Sequence, residues 1–292
     1  MTRIITRFDE ISDSYEVAFV DLWGCLHNGV APFPEAVAAL AKFRDQGGKV
    51  LLLTNSPRPK QSVIEQLDGL GVPRDIYQEV ATSGDSARAA LAAGSFGQKV
   101  FHIGPDRDLP FFEPSDFIPG LANITRVPMD QAEAVVCTGL FDDQTETPDD
   151  YAEILLNAKN RGLKMLCANP DIMVDLGHKR IYCAGAIAQA YAERGGEVFY
   201  FGKPHPPIFD LARNRLTALL GRVVIDKKII VIGDGINTDI RGALQEDLDS
   251  LFITGGLAAA ETGTDGQPDP EKLEAFLNTS QAGTTYAIGH LR

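Results

Sequence analysis

Residues 17–29 read VAFVDLWGCLHNG: four apolar β-formers, an aspartate at position 21, then a loop punctuated by Gly24 and Gly29. A strand that is apolar without alternation is buried on both faces, the pattern of a parallel sheet covered by helices. The same grammar returns in KVLLLTN (49–55), EVFYFGKP (197–204) and KIIVIGDG (228–235), each ending in a polar or charged group. Further runs of this kind are KVFHIG (99–104), AEAVVCTG (132–139), LKMLCANP (163–170) and SLFITGG (250–256). Amphipathic segments lie between them, among them PEAVAALAKFRDQG and TPDDYAEILLNAKNRG. In the second, Thr147 suits an N-cap, Pro148 the first helical position, Asp149 and Asp150 the first turn, and Gly162 the C-cap. The alternation predicts α/β architecture.

At about 150 residues per domain, 292 residues suggest two domains or one domain with a large insertion. The 27 basic and 40 acidic residues leave a net charge of −13, which argues against a nucleic-acid or anionic-membrane surface. Cys25, Cys137, Cys167 and Cys183 stand far apart with no CxxC pair, which reads as a reducing compartment and not as a zinc or disulfide framework. The first residues lack the apolar run of a signal peptide, and no stretch approaches the ~18 apolar residues of a membrane span. A cytoplasmic protein is the expectation. The acidic stretch 142–150 reads as a solvated loop before a helix, 258–272 as a surface loop, and EKLEAFL as a short helix.

In an open parallel sheet, residues just past the carboxyl ends of strands meet in one crevice. Four runs deliver such groups: VAFV leads to Asp21, VLLL to Thr54 and Asn55, VFYFG to Lys203, and IIVIG to Asp234. Two acids suit a Mg²⁺ ion completed by water, while lysine and hydroxyl donors suit phosphoryl oxygens. Phosphoryl transfer asks for this set, because its catalysis is mostly positioning and charge stabilisation. Competing chemistries find no support: there is no GxGxxG, GxxxxGK[ST] or GxSxG, and GDGINTD lacks the late glutamate of an EF-hand, position 245 being Gln.

The order DLWGCLHNG (21–29), LLLTNSPR (51–58), FGKPHP (201–206) and GDGINTDI (233–240) resembles the four motifs of the haloacid dehalogenase (HAD) superfamily. TSGD (82–85), ANPD (168–171) and the AGAIAQAYAERGG segment before FGKP are similar to its class IIA branch, the NagD-like and 4-nitrophenylphosphatase-like phosphatases. The resemblance implies a Rossmann-like core at about 1–83 and 181–292 and an inserted α/β cap of C2 type at about 84–180. It implies a Mg²⁺-dependent phosphohydrolase acting on a small phosphorylated metabolite, such as a sugar phosphate or nucleotide, and it is compatible with a homodimer through the cap. Asp21 would be the nucleophile that becomes an aspartyl-phosphate and a metal ligand, joined at the metal by the backbone carbonyl of Trp23 and by Asp234. Thr54 and Asn55 would hold phosphoryl oxygens, Lys203 would neutralise charge between Asp21 and the phosphoryl group, and Asp239 would orient water or Lys203.

One position departs from the family pattern. Where most HAD phosphatases carry a second aspartate, this chain has Trp23. That aspartate protonates the leaving group, a contribution of typically 10²–10⁴ in rate, and an indole N–H cannot replace it. Three readings follow: a phosphatase that favours leaving groups departing without a proton, one in which His27 is the substitute acid, or a HAD-like pseudoenzyme that binds a phosphorylated ligand. Arg58 is a candidate for a second anionic group of the substrate. Asn169 and Asp171 are candidates for substrate selection, the alternative being an Asx-turn at Asn-Pro. His178, Lys179 and Arg180 form a basic cluster that reads as a solvated turn.

Overall fold

The computed structural model describes residues 2–115, 118–176 and 179–292, so His178 of the basic cluster lies outside the described residues. The strands and α-helices run, in chain order, β1 (Arg3–Ile4), β2 (Val17–Val20), α1 (Pro34–Asp45), β3 (Lys49–Thr54), α2 (Lys60–Leu70), β4 (Glu79–Thr82) and α3 (Ser83–Ala92). They continue with β5 (Lys99–Ile103), β6 (Thr125–Arg126), β7 (Ala134–Cys137), α4 (Ala152–Asn160), β8 (Lys164–Cys167), β9 (Met173–Leu176), β10 (Lys179–Tyr182), α5 (Ala184–Glu193) and β11 (Val198–Tyr200). The last are α6 (Pro206–Leu220), β12 (Ile229–Gly233), α7 (Arg241–Gln245), β13 (Asp249–Ile253), α8 (Pro270–Thr279) and β14 (Tyr286–Ile288). Two compact units result.

The first unit comprises Met1–Thr54, Ile64–Ala81 and Phe209–Arg292. It carries a seven-stranded sheet in the order β1-β14-β13-β12-β2-β3-β4. From β1 through β3 every neighbouring pair is parallel. All four residues of β2 are buried without exposure, as a central strand covered on both faces requires. Ile240, Phe252, Leu273, Leu277 and Ala287 form one buried cluster, which fixes α8 against the sheet. Helix α8 begins as its sequence dictates: Asp269 accepts from the Lys272 N–H at 2.9 Å, with Pro270 at the first helical position. The stretch 258–272 is not all surface. Thr262 is fully buried, and its hydroxyl donates to the Ala258 carbonyl at 2.7 Å.

The second unit comprises Asn55–Val63 and Thr82–Ile208. Its five-stranded sheet has the order β11-β8-β7-β5-β6, and all its pairs are parallel. Beside it in sequence stands the antiparallel hairpin β9–β10. Tyr151, Leu155, Ile187 and Tyr191 pack with Met165 and Val135 on one side, while Leu91, Phe96, Phe111 and Leu121 pack with Val136 and Leu166 in a second cluster. Successive sheet residues therefore bury in opposite directions, as in a doubly wound sheet. At the entry to α4, Thr147 and Asp150 form a capping box and Gly162 closes the far end at φ +67. The acidic stretch before it is only partly solvated, since Asp143 is 9% exposed and pairs with Arg107.

The expected boundary at residue 180 falls inside this second unit. Helix α5 and strand β11 belong to it, because β11 extends the five-stranded sheet with Val198 opposite Met165, and α5 buries Ala184, Ile187 and Tyr191 in the same cluster as β8. The strand leading to Lys203 is thus not in the sheet that carries Asp21, Thr54 and Asp234, contrary to the expectation of one shared sheet. No helix among the described residues is long and apolar enough to cross a membrane.

Candidate active site

In the first unit, β2 and β12 are adjacent and parallel, with Val20 opposite Ile232 and the Asp21 N–H donating to the Ile232 carbonyl at 2.8 Å. Asp21 and Asp234 therefore leave neighbouring strands at the same end of the sheet. Their carboxylate oxygens and the Cys25 sulfur all lie within 4.8 Å of one another. Asp234 is 5% exposed and Cys25 1%. Glycine makes this convergence sterically attainable. Gly24 has φ +71, and a Cβ there would lie 2.2 Å from an Asp234 carboxylate oxygen; one on Gly256 would lie 2.1 Å from the same oxygen. The Leu257 N–H donates to that oxygen at 3.1 Å and fixes the carboxylate. Two hard carboxylates at this separation fit a divalent cation with oxygen ligands.

Asp239 is 2% exposed and faces its own loop, accepting the Gly235 N–H at 3.1 Å. A Cβ on Gly233 would lie 2.1 Å from its carboxyl carbon. Thr54, 4% exposed, ends β3 next to β2. Trp23 and His27 meet edge to face at 5.4 Å, and the Trp23 ring lies where a side chain on Gly29 would be. His27 is 1% exposed, and its Nδ1 accepts the Gly29 N–H at 3.0 Å. Burial holds its pKa down at about 4, which disfavours the imidazolium, and the ring organises the loop through Nδ1.

The second unit holds the other candidates. Lys203 is 2% exposed, and Asn55 grips its backbone on both sides. The Lys203 N–H donates to Asn55 Oδ1 at 2.7 Å, and Asn55 Nδ2 donates to the Lys203 carbonyl at 3.1 Å. Nδ2 also donates to Asp171 Oδ1 at 2.9 Å. Both amide hydrogens of Asn55 are thus engaged in holding Lys203 and Asp171. Asn169 and Asp171 form the Asx-turn, the Asp171 N–H donating to Asn169 Oδ1 at 3.0 Å, and the turn buttresses Asn55. The space around this clamp is tight: a Cβ on Gly202 would lie 2.4 Å from Asn55 Oδ1, and one on Gly84 would lie 2.1 Å from the Pro57 carbonyl. Asp85 accepts the Lys60 N–H at 3.1 Å and pairs with buried Arg88 at 2.9 Å, which anchors the 55–60 loop.

A further polar group escaped the sequence reading. Asp108 and Thr138 are 3% and 2% exposed, and His102 Nε2 meets the Thr138 hydroxyl at 2.9 Å. Burial raises the Asp108 pKa, opposed by Arg107, Arg58 and the Thr138 hydroxyl, and burial lowers that of Arg58, opposed by Asp108. Arg58 therefore sits in reach of an acid, which answers its charge. The signal was available: His102 and Thr138 stand at the carboxyl ends of β5 and β7, between which the order β6-β5-β7-β8-β11 reverses direction.

A family model for haloacid dehalogenase-like hydrolases matches residues 18–118, and a second for HAD-hydrolase-like domains matches 200–278. The chain is 39% identical to a solved haloacid dehalogenase-like hydrolase of Brucella suis, covering 99% of this chain and 100% of that one with a TM-score of 0.85. The chain belongs to the haloacid dehalogenase-like hydrolases. Within the HAD superfamily it is similar to the ribonucleotide monophosphatase NagD of Escherichia coli, 25% identical over 81% of this chain and 86% of that protein, which supports the NagD-like class IIA branch. It is also similar to a glycerol phosphate phosphatase of Mycobacterium tuberculosis solved with magnesium, 26% identical at a TM-score of 0.61, over 85% of this chain and 70% of that one. As a HAD protein the chain has its first, second and fourth motifs on the adjacent strands β2, β3 and β12, and its third motif after β11.

Proposed function

We propose that this HAD protein is a Mg²⁺-dependent hydrolase of small phosphate monoesters that works through an aspartyl-phosphate on Asp21. The observation that carries the reading is the meeting of Asp21 and Asp234 oxygens within 4.8 Å at the ends of adjacent parallel strands. In this reading Asp21, Asp234 and the carbonyl of Trp23 hold the cation, which when bound supplies positive charge to the phosphoryl oxygens. Asp21 attacks phosphorus with one carboxylate oxygen while the bond to the leaving oxygen breaks. Thr54 donates to a phosphoryl oxygen, Lys203 offsets the negative charge, and Asp239 orients the fourth-motif loop. Asn55 serves this chemistry by setting the backbone of Lys203, in support of which both its amide hydrogens are occupied. Arg58 remains the candidate for a second anionic group of the substrate.

Trp23 shapes the substrate range. With no carboxylic acid at that position and a neutral His27, leaving groups that depart unprotonated react fastest. The test is turnover of a panel of aryl and alkyl phosphates with Mg²⁺, for the wild type, Asp21→Asn and Trp23→Asp. Asp21→Asn is expected to abolish turnover, and the wild-type rate to fall steeply as leaving-group pKa rises. Trp23→Asp is expected to flatten that slope and to accelerate alkyl phosphates by up to about 10²-fold, the low end of general-acid contributions. A wild-type rate independent of leaving-group pKa would refute the acid-free chemistry.

A further inference from the structure

The first-motif loop adds a soft donor to a hard site. Leu26 N–H donates to the Leu22 carbonyl at 2.8 Å, closing one helix-like turn that brings Cys25 back over Asp21, four residues earlier. The Gly24 N–H donates to the His27 carbonyl at 3.0 Å and pins the turn from its other side. As a result the Cys25 sulfur shares a 4.8 Å neighbourhood with oxygens of both Asp21 and Asp234, the one such group of metal-ligating side chains found among the described residues. Magnesium gains nothing from a sulfur ligand, since it selects oxygen and water. Zinc, cobalt and cadmium gain a great deal, since a thiolate ligand favours them over magnesium.

We propose that Asp21, Asp234 and Cys25 form a site for a thiophilic divalent cation, Zn²⁺ in the first instance, whose binding excludes Mg²⁺ and arrests the enzyme. Three atoms no further than 4.8 Å apart share a point within about 2.8 Å of each, so small side-chain adjustments reach the ~2.0–2.3 Å of zinc–oxygen and zinc–sulfur bonds. On binding, the sulfur–hydrogen bond gives way to a sulfur–zinc bond, and the proton leaves to solvent. No electron is transferred. A zinc ion held by Cys25 as well as by Asp21 and Asp234 would draw the first-motif loop onto the metal and turn the free oxygen of Asp21 out of line with phosphorus. The inhibitory consequence rests on the hydrolase reading above; the binding site itself does not.

The test uses the metal-free chain with Co²⁺ as a spectroscopic stand-in for Zn²⁺. The wild type is expected to develop a near-ultraviolet sulfur-to-cobalt charge-transfer band that Zn²⁺ abolishes and Mg²⁺ in large excess does not. Cys25→Val and Cys25→Ser are expected to lack the band, and chelator competition is expected to show Zn²⁺ affinity lowered at least about tenfold, the smaller loss seen even for indirect supports of a metal ligand. Absence of the band in the wild type at saturating Co²⁺ overturns the proposal without recourse to any variant. So does a band that survives in Cys25→Val, which would assign it to Cys137, Cys167 or Cys183. Mg²⁺-dependent hydrolysis of 4-nitrophenyl phosphate, measured in parallel, judges the hydrolase reading separately: a cobalt band without hydrolysis refutes that reading alone, and hydrolysis without the band refutes this one alone.

Discussion

Acidification should weaken the second unit in part through His102. Its imidazole is half-buried beside Phe112, at 5.0 Å ring to ring, and Nε2 meets the Thr138 hydroxyl. Burial, with a smaller contribution from the Arg126 charge, pushes its pKa from 6.5 to about 4. The folded protein therefore binds this proton less readily than the unfolded chain. The stability gained by keeping His102 neutral is fully present above pH 6.5 and is lost as pH falls toward 4. Between pH 7 and pH 5 the loss comes to about 2 kcal/mol, at 1.36 kcal/mol per pKa unit. Urea unfolding of the wild type and of His102→Gln at pH 7, 6 and 5 isolates the contribution, because any cost of the substitution that does not depend on pH cancels in the comparison. The wild type should lose about 2 kcal/mol more than the variant across this range. Parallel stability curves for the two proteins would refute the reasoning, and would mean that the imidazole is hydrated or already charged in the native state.

Other consequences are as direct. Asn55→Ala should leave the secondary structure intact and lower kcat by about 10²-fold with little change in KM, since misplacing a catalytic group by an ångström costs that much; an unchanged kcat would show that Lys203 does not need the clamp. Gly84→Ala forces the Pro57 carbonyl and its loop to move, and should destabilise by about 1–3 kcal/mol in thermal unfolding. Asp108→Asn should stabilise at pH 7, where the buried carboxyl would otherwise be ionised against its raised pKa, and the gain should vanish as pH falls below the ordinary carboxyl range; a gain that persists at low pH would contradict burial as the cause. Removal of divalent metal with a chelator should abolish turnover, and added Mg²⁺ should restore it, as followed with 4-nitrophenyl phosphate.

Much of this architecture was legible from local pattern. The eight continuous apolar runs all became strands, because a strand buried on both faces carries its environment in its composition. Short strands did not announce themselves: β1, β6 and β14 have two or three residues each and owe their existence to the neighbour they pair with. Thr147 and Pro148 marked the start of a 3₁₀ turn (Pro148–Tyr151) that leads into α4 and not of α4 itself, while Gly162 marked its far end, since caps act within a single turn. The two compact units divide the chain elsewhere than at 180, for the opposite reason. VFYFGKP carries a motif that the resemblance assigns to the core, yet the VFY strand pairs with β8, and pairing partners are nonlocal. For the site, the proximity of Asp21 and Asp234 followed from strand-end logic. The occupation of Asn55 by Lys203 and Asp171 did not, because it depends on contacts across 148 and 116 residues of chain. Asp108 was invisible for a different reason: an aspartate in a turn reads as solvated, and only its burial reveals otherwise.

The clamp on Lys203 also bears on how the protein ages. Asparagine is among the thermolabile side chains, and at position 55 its amide nitrogen faces two oxygen acceptors at once. Hydrolysis of that one amide would replace a two-pronged donor by a carboxylate aimed at a carbonyl and at another carboxylate, so repulsion would take the place of both bonds. Long storage at elevated temperature should then inactivate a fraction of molecules that remain folded, each heavier by a single dalton-scale change detectable by peptide mass spectrometry at residues 55 and 56.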